Sequence, residues 1–216
     1  MIRAILFDLD GTLADTAADL AGALNRLRAE HRLPPLPPDV TRPHTSSGAR
    51  GLLNVGFDLG PEDPRYAAMR ERFLDLYEAS LCVHTRLFDG MPELLGELER
   101  RAIAWGIVTN KPRRFTEPLV ERLDLYRRAA CVVSGDTTAR PKPAPDPLLY
   151  AAHAVGVAPE ACLFVGDDLR DIQSARAAGM AVIAAGWGYL GIDGDPRGWG
   201  ADAVVDRPAE VLEHIV

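Results

Sequence analysis

The first apolar run of the chain, AILF at residues 4–7, leads straight into two carboxylates, Asp8 and Asp10, in FDLDGT. Side chains at i and i+2 of a strand project to the same side, so both can face one crevice while Gly11 and Thr12 turn the chain away. Left uncompensated there, such a pair raises a pKa or binds a cation. Magnesium, a hard ion that takes oxygen ligands, is the natural partner. Three later segments carry complementary groups. WGIVTN ends in Thr109 and Asn110, a hydroxyl and an amide suited to phosphate oxygens, and ARPKPAPDP holds Lys142 between prolines, where an ammonium can neutralise both a nucleophile and a bound phosphate. CLFVGDDLRDI then supplies Asp167, Asp168 and Asp171. Each residue also has a purely structural reading: Thr109 as a helix cap, Lys142 as a solvated loop lysine, Asp168 or Asp171 as the N-cap of a helix running through Ala178. Strand ends that supply carboxylates, a hydroxyl, an ammonium and carboxylates in succession point to phosphoryl transfer.

The elements that must position these groups are legible as short, continuous apolar runs at 4–7, 104–109, 130–134, 162–166, 181–185 and 201–205. Runs of this kind are expected where helices cover both faces of a parallel sheet. Helical patterns lie between them at 117–125, 146–156 and 171–179, the last two ending in Gly. This βαβ rhythm predicts an α/β fold, a doubly wound parallel sheet. In a sheet of that type ligands bind beyond the carboxyl ends of the strands, which is where Asp8 lies.

One interval breaks the rhythm. Between about residues 14 and 85 there are amphipathic segments, TAADLAGALNRLRAEH and DPRYAAMRERFLDLYEAS, joined through RLPPLPPDVTRP and the glycine-containing SSGARGLL. We expect residues 1–14 and 86–216 to form the α/β core and residues 15–85 an inserted helical domain. The Pro-rich stretch reads as a turn between helices.

Composition narrows the class. The chain has 216 residues, 47% hydrophobic and 25% charged, enough for one sizeable core with a smaller second domain. Its three cysteines have no metal-ligand spacing, which favours thiols in a reducing compartment over a disulfide framework. The first apolar run stops at Asp8 and no window approaches a membrane span, so the expectation is a cytoplasmic protein without a membrane partner. A net charge of −7 with few aromatic residues argues against nucleic-acid binding.

In order and spacing, FDLDGT, VTN, the Lys142 loop and GDDLRD resemble the motifs of the haloacid dehalogenase (HAD) superfamily of phosphohydrolases, whose fold is Rossmannoid. The insertion falls where that family places a helical C1 cap. The resemblance implies that Asp8 attacks phosphorus to form an aspartyl-phosphate, while Asp10 protonates the leaving group and later takes a proton from water. It also implies magnesium held by Asp8, the Asp10 carbonyl and Asp167, with Thr109, Asn110 and Lys142 receiving phosphate charge. Gly11, Thr12 and Lys111 fall on the phosphate side of such a site, and Asp171 supports it from behind. Asp168 departs from the small residue frequent in the family and is expected to cap its helix.

Within the family the chain is similar to phosphoglycolate phosphatases. SSGARGLL, HTRLFDGMPELL, VGDDLRDI and WGADAVVD resemble a bacterial branch that includes N-acetylmuramic acid 6-phosphate phosphatases of peptidoglycan recycling. Both substrates are small phosphate esters carrying a carboxylate. Gly48 and Arg50 in SSGARG are therefore the candidate substrate contacts, a close-approaching loop and a guanidinium, with Ser46 and Ser47 beside them. Lys111, Arg113 and Arg114 read as a basic cluster at the cleft rim, His44 and His84 as local hydrogen-bonding groups, and Trp187, Tyr189 and Trp199 as packing. A cap implies a lid with hinges near 14–16 and 84–91. A monomer or homodimer is expected. A hexose-phosphate mutase of the same superfamily remains an alternative. So does a phospho-accepting receiver domain, although receivers lack the second Asp and the helical insertion; dehalogenation needs neither Asp10 nor a metal.

Overall fold

The first strand, β1 (Ala4–Phe7), is wholly buried and feeds Asp8 into the loop that follows. The computed structural model describes residues 1–191 and 194–215. After β1 the chain makes a short strand, β2 (Ala14–Asp15), then four helices: α1 (Ala17–Glu30), α2 (Pro38–Thr41), α3 (Gly48–Phe57) and α4 (Tyr66–Glu78). It returns through β3 (Arg86–Leu87), which pairs antiparallel with β2. The remainder alternates: α5 (Met91–Arg100), β4 (Ala104–Val108), α6 (Arg113–Arg122), β5 (Val132–Val133), α7 (Asp146–Val155), β6 (Cys162–Gly166), α8 (Leu169–Ala177), β7 (Ala181–Ala185) and β8 (Ala203–Val205).

Six strands form one parallel sheet in the order β5–β4–β1–β6–β7–β8. The chain winds outward from β1 through β4 and β5, then crosses back to place β6 on the other side of β1. The order reverses between β1 and β6, which opens a crevice at their carboxyl ends. Phe7 pairs with Val165, so Asp8 and Asp167 emerge side by side at that point.

Side-chain alternation along each strand divides the core in two. Ile5, Phe7, Trp105, Ile107, Leu163, Val165 and Ile183 pack on one face with α5 and α6. Ala4, Leu6, Val108, Phe164, Val182 and Ala184 pack on the other with α7 and α8. The first cluster continues through Leu9 and Leu13 to Leu20, Leu24, Leu53 and Phe73 of the helical insertion, so α1, α3 and α4 share its apolar contacts. Buried Asp19 anchors their return. Its carboxylate accepts from the backbone N–H groups of Val83, His84 and Thr85 at 2.9–3.0 Å, next to β3.

Three details differ from the sequence reading. SSGARGLL is not a glycine-broken junction: it begins α3, and Gly56 within that helix lets Leu24 pack close, since a Cβ there would sit 2.7 Å from the end of the Leu24 side chain. The helix expected from Glu117 starts at Arg113, one turn earlier, with Pro118 carried inside it. The segment 91–100, for which no helix was read, forms α5, whose leucines face the sheet.

Candidate active site

The floor of the crevice is an acidic cluster with one ammonium set into it. Asp8, Asp167 and Asp171 each offer a carboxylate oxygen within 4.8 Å of the others. Lys142 lies in the loop before α7 and reaches the carboxyl ends of β1 and β4. Its Nζ is 2.9 Å from Asp8 Oδ1, 2.7 Å from Asp171 Oδ1 and 2.9 Å from the Val108 carbonyl. The loop is pinned by Asn110, whose side-chain amide donates to the Lys142 carbonyl at 2.8 Å and accepts from the Lys142 N–H at 2.9 Å. Asn110 thus spends both ends of its amide on holding the lysine, while still lining the cleft. Thr109 is buried beside it, and its hydroxyl oxygen accepts from the Lys111 N–H at 3.2 Å.

The electrostatics of this floor are unbalanced. Burial, with the charges of Asp8 and Asp171 adding, pushes the Asp167 carboxyl well above the usual range against hydrogen bonds from Tyr189 N–H and Thr12. Burial likewise pushes Asp171 up to about 7, opposed by Lys142 and reinforced by Asp8. Lys142 is held above the ordinary lysine range because Asp171 and Asp8 outweigh its desolvation. Three buried carboxylates lie together with one lysine that pairs with only two of them, Asp8 and Asp171, and their donors are all hard oxygens. That set fits a divalent cation such as magnesium.

Supporting contacts fix Asp167. Thr12 donates to its Oδ1 at 2.9 Å, and the Tyr189 N–H donates to its Oδ2 at 2.9 Å. Thr12 is itself placed by Trp187, whose indole N–H donates to the Thr12 carbonyl at 3.0 Å. Gly11 has φ +90, and a Cβ on it would fall 2.2 Å from Asp167 Oδ2. Glycine there allows the two strand ends to close up. Asp168 caps α8: its carboxylate accepts from Arg170 N–H at 2.9 Å, while Asp171 reaches back to the Asp168 N–H at 3.2 Å. The side chain that grips Lys142 therefore also closes the capping box.

Asp10 stands apart from the acidic cluster. Its Oδ1 accepts from Thr16 at 2.6 Å and from Lys111 Nζ at 2.9 Å. Lys111 is turned inward, and its Nζ lies 4.7 Å from the centroid of the Tyr77 ring on α4. Its desolvation is overcome by Asp10 and Tyr77, which hold it above the usual lysine range. The basic run after β4 is consequently split. Arg114 pairs with Glu71 at 3.2 Å and Arg113 lies 3.7 Å from Glu117, both away from the floor.

Above the floor the cleft encloses about 300 Å³. Ser46, Ser47, Gly48 and Arg50 form one wall, and Arg170 ties that wall to the core by donating to the Ser46 carbonyl at 2.7 Å. Ser46 Oγ is also 3.5 Å from Asp167 Oδ2. The opposite wall was not anticipated. It consists of Tyr66, Arg70, Phe73, Leu74 and Tyr77 of α4, with Phe115 from α6. Tyr66, Arg70, Phe73 and Tyr77 fall at i, i+4, i+7 and i+11, one helical face, and that periodicity was available in DPRYAAMRERFLDLYEAS. Tyr189 was likewise read as packing. Besides orienting Asp167, its hydroxyl oxygen accepts from the Thr16 N–H at 2.7 Å.

Comparison with known proteins places this geometry in context. The family profile described as haloacid dehalogenase-like hydrolase matches residues 5–185. The chain is 43% identical to the N-acetylmuramic acid 6-phosphate phosphatase of Pseudomonas aeruginosa, covering 98% of this chain and 94% of that protein. It is 45% identical to a phosphoglycolate phosphatase of Xanthomonas campestris pv. campestris, covering 98% and 95%. Among solved structures it superposes with a TM-score of 0.87 on a Haemophilus somnus protein described as a predicted phosphoglycolate phosphatase, at 26% identity over 100% of this chain and 98% of the other.

Proposed function

The chain belongs to the haloacid dehalogenase-like hydrolases, and from that premise we propose that it is a magnesium-dependent phosphomonoesterase acting on a small phosphate ester that carries a carboxylate. The observation that carries this reading is the convergence of Asp8, Asp167, Asp171 and Lys142 at the point where the sheet reverses.

In this reading Asp8 is the nucleophile. Its free oxygen bonds to phosphorus as the bond from phosphorus to the ester oxygen breaks, giving an aspartyl-phosphate. Asp10 delivers a proton to the departing alkoxide. It then takes one from the water that splits the acyl phosphate, which restores Asp8 and releases inorganic phosphate. Lys142 and the Thr109 hydroxyl face the phosphoryl oxygens and stabilise the charge that shifts onto them. Asp171 and Asn110 act indirectly, one holding the ammonium and the other its backbone. Magnesium would be held by Asp8, Asp167 and the Asp10 carbonyl, and when bound it would offset repulsion between the anionic nucleophile and the phosphate dianion. Residues 15–85 would act as a lid that excludes stray water from the acyl phosphate. The contacts that Ser46 makes with Arg170 and Asp167 support that role.

We favour N-acetylmuramic acid 6-phosphate as the substrate. A cleft of about 300 Å³ with an apolar wall suits a sugar phosphate better than the much smaller 2-phosphoglycolate, which is the second reading. Arg50, entering the cleft from α3, would contact the substrate from the wall facing α4. The test is phosphate release, with and without magnesium, from both compounds, from N-acetylglucosamine 6-phosphate and from hexose phosphates. The expected result is multiple metal-dependent turnovers, abolished by Asp8→Asn and Asp10→Asn, with kcat/KM highest for N-acetylmuramic acid 6-phosphate. A higher kcat/KM for 2-phosphoglycolate would move the substrate to the second reading, and conversion of a hexose phosphate to its isomer would replace hydrolysis with phosphoryl transfer.

A further inference from the structure

On α4, charged residues next to one another meet different fates. Glu71 pairs with Arg114 and Arg72 with Glu30, both on the outer side of the helix. Arg70 immediately precedes them in sequence and lines the cleft, and it makes no ion pair or side-chain hydrogen bond among the described residues. Arg50, entering the same cleft from α3, is likewise without an ionic partner among the described residues. One turn from Phe73 on the same face, Tyr77 is only 1% exposed, and its hydroxyl is the one buried side-chain polar atom left without a partner among the described residues. Lys111 acts on the phenol by its charge and by a weak side-chain donation that falls outside ordinary hydrogen-bond geometry, which leaves the hydroxyl without a full partner. Buried polar groups are almost always satisfied, so this hydroxyl points to a ligand.

The charges of the cleft are also sorted by position. The floor holds Asp8, Asp167 and Asp171 with Lys142, and beside them the Asp10–Lys111 pair, whereas the helical walls contribute Arg50, Arg70 and the phenols of Tyr66 and Tyr77 around Phe73 and Leu74. A ligand matching both ends has its phosphate below and a second anion above, with apolar substance between. We propose that the inner face of α4 selects the substrate: Arg70 takes the carboxylate of the leaving group in a bidentate pair, and the Tyr77 hydroxyl hydrogen-bonds an oxygen of that same group. This rests on the phosphomonoesterase reading above and extends it to residues that no motif of the sequence marks.

The test uses two sugar phosphates that differ only in the lactyl carboxylate, N-acetylmuramic acid 6-phosphate and N-acetylglucosamine 6-phosphate, and reads the ratio of their kcat/KM values. A paired, charged hydrogen bond corresponds to roughly ten- to hundredfold in affinity. Arg70→Gln should lower the ratio by about that factor, chiefly through KM, and Arg70→Lys should recover only part, since an ammonium cannot make the planar double contact. Tyr77→Phe should lower kcat/KM on both sugars more than on p-nitrophenyl phosphate. A wild-type ratio near one, or an unchanged ratio in an Arg70→Gln protein whose Tm matches wild type, overturns the assignment of Arg70. Equal losses on all three esters in Tyr77→Phe overturn that of Tyr77. Absence of phosphate release from any ester by the wild-type enzyme is a different outcome and defeats the phosphomonoesterase reading itself.

Discussion

Replacing Lys142 by methionine keeps the unbranched stem to within one atom but withdraws the ammonium that Asp8 and Asp171 share at 2.9 and 2.7 Å. Two consequences of different size follow. In the reaction, loss of one preorganised group facing the phosphoryl oxygens should lower kcat roughly a hundred- to a thousandfold. In the folded state, removing one partner of a buried ion pair costs about 3–5 kcal/mol, because the carboxylates left behind have no counter-charge. At about 2–4 °C per kcal/mol for a chain of this size, the Tm should fall by about 6–20 °C.

The deficit should depend on pH, and the sign can be worked out. Burial already holds Asp171 up at about 7. A carboxyl whose folded pKa lies above its unfolded value takes up a proton on folding, so its contribution is complete below about pH 4 and is lost as pH rises through its folded pKa. Without Lys142 the folded pKa rises further. Protonation near pH 5.5 then neutralises the orphaned carboxyl, and the deficit should be smaller there than near pH 8. The assay is thermal unfolding of both proteins at the two pH values, with kcat measured on p-nitrophenyl phosphate. A variant within about fivefold of wild-type kcat, against the expected factor, would refute the role of the lysine. A Tm deficit equal at both pH values would refute the charge argument.

Three further outcomes are expected. Thr12→Val removes the hydroxyl that donates to Asp167 at 2.9 Å and should weaken magnesium binding about 10- to 100-fold in a calorimetric titration; unchanged affinity would detach Asp167 from the metal. Asp168→Ala deletes the N-cap of α8 and should cost about 1 kcal/mol of stability, read as a Tm shift, while kcat stays within a few-fold of wild type; a collapse of kcat with intact Tm would give Asp168 a direct part in the site. Magnesium should raise the Tm of the chelator-treated protein more near pH 8 than near pH 5.5, because protons compete for the same buried oxygens; equal increments would place the ion elsewhere.

What the sequence disclosed, and what it hid, divides by range. Asp8 and Asp167 were legible because each ends an apolar run, and strand ends in a parallel sheet converge by topology alone. Lys142 was legible because the prolines around it limit how its loop can run. The partners of Asp10 were not, since Lys111 is 101 residues away and its inward turn depends on Tyr77 from the helical insertion. Asn110 was read as a phosphate ligand from its amide, but only the folded loop reveals that both ends of that amide hold Lys142. The α4 face had the periodicity to be noticed, yet nothing in a helix states which way its stripe points. Here Tyr66, Phe73 and Tyr77 serve the cleft as well as the core. Glycines hid α3 for a related reason: they read as breaks, whereas Gly56 gives Leu24 room to approach.

The account depends above all on Asp8 becoming phosphorylated. Rapid acid quench of the enzyme with a phosphate ester, followed by reduction with tritium-labelled borohydride and peptide mapping, tests this directly. The label should be trapped on the peptide that contains Asp8, with homoserine at that position after reduction, and should be absent in Asp8→Asn. Steady hydrolysis with no trapped label, or label on a peptide from elsewhere in the chain, would contradict it.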